Sequence, residues 1–224
     1  MSKKTKKEEE ICDLDEETLL VPNSSPYGMP SPIISVKNHL YLYDQIDTTI
    51  TRAFFSALHE AAMNIIDTAV ENGTPIIPIY LHINSCGGSC SDALAIVQVI
   101  KDIQEGRIHQ VGGIPIKIPI YTYIEGEADS AASLIACVGT KRFCSKYALS
   151  LIHEVRQISG GAVQKTGDIE IDAKNLRMFK DKFNDIYLAH SKLTKEKLEE
   201  ISSKEDYSSP EQLIEYGLVD EIVG

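Results

Sequence analysis

The sequence of 224 residues contains no tryptophan and is short of positive charge, with 22 Lys and Arg against 33 Asp and Glu and a net charge of −11. Proteins that neutralise nucleic-acid phosphates or settle on anionic lipid carry a basic footprint, so this balance argues against both partners. No apolar run approaches the ~20 residues that cross a bilayer. The opening MSKKTKKEEE is charged and lacks an apolar stretch, so it does not read as a secretory signal. Five cysteines are present, Cys12, Cys86, Cys90, Cys137 and Cys144. An odd count without a leader points to reduced thiols in a cytoplasmic protein rather than a disulfide framework. Cys86 and Cys90 have a wider separation than the usual zinc pair, and no second Cys/His pair lies nearby, so neither a metal nor another cofactor is expected.

What is present fits a soluble globular chain: 43% hydrophobic and 25% charged residues, with ten Tyr and five Phe to fill a core. The charge is uneven. Residues 1–17 hold four Lys and seven acids, and residues 194–224 hold three Lys and nine acids, leaving the middle near balance. Residues 1–32, a Lys block, an acid block and then PNSSPYGMPSP, read as a solvated arm. A single domain is expected over 33–224.

Alternation and β-formers predict a strand over 33–43. Phe54, Leu58, Ala61, Ile65 and Ala69 share a helical face, and Asn72-Gly73 should end that helix. IIPIYLHI (76–83) has the continuous apolar character of a buried parallel strand. NSCGGS (84–89) reads as a glycine turn, followed by a helix over 91–103, a loop or hairpin over 104–116 and a strand over 118–124. GEADSAASLIACVG (126–139) reads as a turn into a small-residue helix, and KRFC and YALSLIH (141–153) as strands. A long helix is expected over 168–190 with Ile169, Leu176, Phe179, Phe183 and Ile186 on one side. Helices at 195–202 and 210–216 and a closing strand complete the pattern. Strand–helix alternation implies right-handed βαβ units and an α/β fold.

Four features could carry chemistry. The Gly87-Gly88 pair lets backbone approach a ligand, though taken alone an ordinary βα turn is the simpler explanation. Ser130 stands on a strand-to-helix turn among small residues, where a nucleophile is presented at the carboxyl end of a sheet. The bland alternative is a packed helix start capped by Asp129 or Ser130. His153 closes the YALSLIH strand, where an imidazole can act as general base. Its rivals are His39, His59, His82, His109 and His190. Glu205 and Asp206 could orient that imidazole, or could be solvated acids of an acidic tail.

Taken together these features resemble the ClpP family, the proteolytic subunits of ATP-dependent Clp proteases, within the ClpP/crotonase superfamily. YLHINSCGG is similar to Y-x-Y-I-N-S-P-G-G, GEADSAAS to G-x-A-A-S-M/A-A/G, and GTKRFCSKYALSLIH to G-x-x-K-R-x-x-x-P-N-x-x-x-M-I-H. GDIEIDAKNL and SPEQLIEYGLVDEIV resemble two further family segments, in the right order. The resemblance implies a fold of repeated ββα units with a protruding handle helix. It implies a serine endopeptidase with Ser130 as nucleophile, His153 as base and the N–H groups of Gly88 and Ala131 as oxyanion hole. Counting without gaps puts Glu205 on the family's catalytic Asp, and a one-residue gap puts Asp206 there. It further implies polypeptide substrates, stacked heptameric rings of identical subunits and an AAA+ unfoldase of the ClpX/ClpA type. An inactive ring subunit, a crotonase-type acyl-CoA enzyme, and a viral head-maturation or signal-peptide-peptidase type of protease are the alternatives.

The departures are specific. Cys86 stands where the family has Pro. Asp129 replaces the usual Ala before the nucleophile. Residues 104–116 are inserted, and 154–167 run about three residues long in the region that joins two rings. His82 replaces an aromatic of the pocket where the unfoldase docks.

Overall fold

The computed structural model describes residues 31–157 and 165–224. The arm expected over 1–32 therefore lies almost wholly outside the described residues, as do the SGG break at 159–161 and half of the long 154–167 segment. The centre is a seven-stranded sheet in the order β1-β2-β3-β6-β7-β9, with β8 continuing beside the far end of β6. Within this sheet, among the described residues, only β1 (Ile34–Val36) and β2 (His39–Leu42) pair antiparallel; its other pairings are parallel. The single strand expected at 33–43 is thus a tight hairpin, because Lys37 adopts φ 55° and turns the chain before Asn38. Alternation alone cannot show that break, since both arms keep the same period.

β3 (Ile79–Ser85) runs beyond its expected end. Asn84 and Ser85 belong to the strand rather than to the glycine turn. α1 (Thr48–Asn72) lays Phe54, Leu58, Ala61 and Ile65 on the sheet. The Asp47 side chain caps its first turn by accepting from the Ile50 N–H, and Gly73 at φ 64° ends it in the left-handed conformation. α2 (Cys90–Gln104) is capped by Ser89 and buries Ile96, Ile100 and Ile103. The inserted segment forms a small hairpin of β4 (Gln110–Val111) and β5 (Ile114–Pro115).

β6 (Ile120–Asp129) is ten residues long and reaches the residue before Ser130, so Gly126 to Asp129 are strand and not turn. α3 (Ala131–Cys137) is entirely buried, which is what its small residues permit. β7 (Lys141–Ser145) and β8 (Leu149–Leu151) follow, and His153 lies two residues beyond β8. α4 (Thr166–His190) buries only Phe183 and Tyr187. The apolar side expected from Ile169 onward is covered only toward the carboxyl end of the helix: Phe183 is buried, whereas Ile169 is 53% exposed. α5 (Lys195–Lys204), α6 (Pro210–Tyr216) and β9 (Glu221–Val223) close the chain. Arg142 fastens this last segment, with Nη2 to Asp220 Oδ1 at 2.5 Å and Nη1 to the carbonyl of Gly217 at 2.7 Å. Among the described residues no helix is long and apolar enough to cross a membrane.

Candidate active site

The carboxyl ends of β3, β6 and β8 open on one cleft of about 730 Å³. It is lined by Gly87, Gly88, Ser130 and His153, and on its far wall by Leu176, Phe179 and Phe183 of α4. Three of the four sequence candidates therefore share one cavity. Glu205 and Asp206 do not line it.

Ser130 has φ 53° and ψ −119°, one of three positive-φ positions outside glycine among the described residues. Such a conformation costs roughly 1–3 kcal/mol and persists only where the surroundings impose it. Here they do. The Ser130 N–H donates to the carbonyl of Leu151 at 2.7 Å. The Ser130 carbonyl accepts from Ser133 Oγ at 2.7 Å and from Tyr187 Oη at 3.3 Å. The Ser130 side chain makes no capping bond to α3, and the residue lines the cleft. Asp129 does not cap the helix either. Its Oδ1 accepts from the Leu151 N–H at 3.0 Å and its Oδ2 from Tyr207 Oη at 3.2 Å. Burial pushes the Asp129 carboxyl up, against the Tyr207 hydrogen bond.

The two glycines are required sterically. A Cβ on Gly87 would lie 2.5 Å from the Asp129 carbonyl oxygen, and one on Gly88, at φ 151°, would lie 2.1 Å from the Ile46 carbonyl oxygen. Gly88 sits between two bonds to Ile46: the Gly87 carbonyl accepts from the Ile46 N–H, and the Ser89 N–H donates to the Ile46 carbonyl, both at 2.8 Å. Backbone groups alternate in direction along extended chain, so the Gly88 N–H points to the opposite side. Ala131 is the first residue of α3, and its N–H has no partner within the helix.

His153 Nδ1 lies 2.6 Å from the carbonyl oxygen of Glu154. A carbonyl can only accept, so Nδ1 carries a proton, which in the neutral ring puts the lone pair on Nε2. Glu205 occupies the left-handed cap of α5 at φ 55° and pairs with Arg156, which holds its carboxyl below the usual range; the His153 ring adds to that in the same direction. The Asp206 charge acts on Lys204. Neither carboxylate is hydrogen-bonded to His153 among the described residues.

Among the other histidines, His39 and His82 form a separate cluster on the outer face of the sheet. His39 Nδ1 is 2.8 Å from His82 Nε2, and His82 Nδ1 is 2.8 Å from Glu125 Oε1. Burial, then the neighbouring His39, lowers His82 to about 4, so at neutral pH its contact with Glu125 is a hydrogen bond from a neutral ring and not an ion pair. Among the described residues no group of three or more His, Cys, Asp or Glu side chains is arranged to hold a metal ion. Tyr187, Ser133 and Tyr207, which fix the Ser130 turn, carry no sequence signal that singles them out.

A family model described as Clp protease matches residues 34–224. The ATP-dependent Clp protease proteolytic subunit of Bdellovibrio bacteriovorus is 33% identical over 156 residues, covering 69% of this chain and 68% of that protein. The ATP-dependent Clp protease proteolytic subunit 1 of Rhodopirellula baltica is 31% identical over 147 residues, covering 65% of this chain and 58% of that protein.

Proposed function

Since the chain belongs to the Clp protease family, we propose that it is a serine endopeptidase acting through Ser130 and His153. The observation that carries this reading is the cleft that Ser130 shares with His153 and Gly88, with Ser130 held at φ 53° on its turn. In the reaction, Ser130 Oγ attacks the scissile carbonyl while its proton passes to His153 Nε2. The N–H groups of Gly88 and Ala131 stabilise the oxyanion, about 3 kcal/mol for each such donor. Collapse breaks the C–N bond, and His153 returns the proton to the leaving amine. Water, deprotonated by the same nitrogen, then releases the acyl group and restores Ser130.

The Nδ1 contact with Glu154 supports Nε2 as the basic nitrogen. Of the two acids, Glu205 is the better member of the site, on its gap-free register and its electrostatic coupling to His153. Its partner is Arg156, so it acts on the imidazole through charge and not through a hydrogen bond. The apolar wall of Leu176, Phe179 and Phe183 suits an apolar side chain on the acyl side of the scissile bond.

The relatives are named as proteolytic subunits of an ATP-dependent protease, which supports an ATPase partner and assembly with other subunits. In our reading that partner is an unfoldase that threads polypeptide to a ring of these subunits. A fluorogenic-peptide assay tests the core of the proposal. Cleavage of peptides with apolar residues before the scissile bond, lost on Ser130→Ala and His153→Ala, is the expected outcome. Turnover that persists in Ser130→Ala removes the assignment.

A further inference from the structure

Asp129 is a buried carboxylate one residue before the proposed nucleophile, 6% exposed, and burial is the largest influence on its acidity. An acid placed there destabilises the ionised protein unless its bonds return something. Its two bonds reach two different segments. Oδ1 takes the N–H of Leu151, two residues before His153, and Oδ2 takes the hydroxyl of Tyr207, two residues after Glu205. The same three segments meet through backbone as well. Ser130 donates to the Leu151 carbonyl, and Ser150 and Ser208 exchange bonds of 3.2 and 2.8 Å. The charged groups that act on Asp129 are Glu127, which opposes its ionisation, and His153, which favours it.

We propose that Asp129 is a positioning residue for the hydrolysis, its carboxylate tying the Ser130 turn to the His153 strand and to the Glu205 loop. The proposal rests on the serine-peptidase reading above and goes beyond it. An alanine at this position makes neither bond, so the registration of the three segments would fall to backbone contacts alone. The carboxylate also sets charge within the field of the imidazole that must be protonated during each turnover.

The test uses the full chain and four variants: Asp129→Ala, Asp129→Asn, Tyr207→Phe and the Asp129→Ala/Tyr207→Phe double. Peptide turnover is followed across pH, with the rate of fluorophosphonate labelling as a second readout. Asp129→Ala is expected to lower kcat by about 10-fold or more with KM within about 3-fold, and Tyr207→Phe to lower kcat by ~3-fold. The double variant should be no slower than Asp129→Ala, because both substitutions cut one linkage. In Asp129→Asn the acid limb of kcat/KM should move to lower pH, a change that a purely structural role would not produce. Should Asp129→Ala lose its fold, the Asn and Phe variants decide, and kcat and pH profile unchanged in both overturn the proposal. A labelled, active parent with kcat and pH profile unchanged in Asp129→Ala also overturns it, leaving the peptidase reading intact. A parent that is neither labelled nor active overturns that reading and this proposal together.

Discussion

The hydroxyl of Tyr187, on α4, meets that of Ser133 at 2.6 Å, and both reach the main-chain carbonyl of Ser130. Ser133 donates to that carbonyl, and Tyr187 shares its one proton between the two oxygens. Burial raises Tyr187 far above an ordinary phenol, so it stays neutral and a donor. The positive-φ turn of Ser130 is thereby fastened to the helix that walls the cleft. Tyr187→Phe keeps the ring and removes the bond, and should destabilise the protein by about 1 kcal/mol. It should also slow peptide turnover more than it weakens peptide binding. Thermal melts and separate kcat and KM values check both effects.

The glycine pair permits a sharper steric prediction. Gly88→Ala drives a Cβ to 2.1 Å from a backbone oxygen that is itself fixed by the Ser89 N–H. No side-chain rotation relieves that clash, so the strand end or the Ile46 bridge must move. The expected result is near-complete loss of turnover. Gly73→Ala, where nothing lies within 4 Å of the added Cβ and only the φ of 64° is strained, should cost about 1 kcal/mol and leave turnover unchanged.

His82 gives a pH prediction with a definite sign. Its folded value, about 4, lies below the ordinary 6.5, so between those values the unfolded chain binds the extra proton. Stability contributed by the neutral ring is present above pH 6.5 and is lost as pH falls toward 4. The loss is at most about 3 kcal/mol, since a tenfold difference in proton affinity corresponds to about 1.4 kcal/mol, and solvent screening of the partly exposed ring reduces it. Denaturant unfolding between these values should show this slope, and His82→Gln should flatten it.

Asp129 works in the opposite sense. Its carboxyl is raised by burial, so the stability it contributes is greatest below the unfolded value and falls as pH rises through the folded one. The melting temperature of Asp129→Asn minus that of the parent should therefore become more positive as pH rises. A more stable but slower variant is the signature of a carboxylate held for the site rather than for the fold.

Much of this molecule is legible in its sequence, and the gaps have physical causes. The spacing of Phe54, Leu58, Ala61 and Ile65 gives α1, and the glycine turn and Ser130 emerge from local residue chemistry. The hairpin at Lys37 is hidden because its two arms share one alternation. The apolar side of α4 is legible in the spacing of Leu176, Phe179 and Phe183, but periodicity reports an apolar stripe without saying how much of it is covered. Tyr187 and Tyr207 act on Ser130 and Asp129 from 57 and 78 residues away, a separation that no local pattern encodes. Asp129 is visible as an oddity beside the nucleophile, but its two partners appear only when β6, β8 and the Glu205 loop are brought together.

The most direct test of the serine-peptidase assignment is covalent labelling of the full chain with a fluorophosphonate, read by peptide mass spectrometry. One adduct is predicted, on Ser130, formed much more slowly in His153→Ala and absent in Ser130→Ala. A parent protein that acquires no adduct, or a Ser130→Ala protein labelled at the parent's rate, would contradict it.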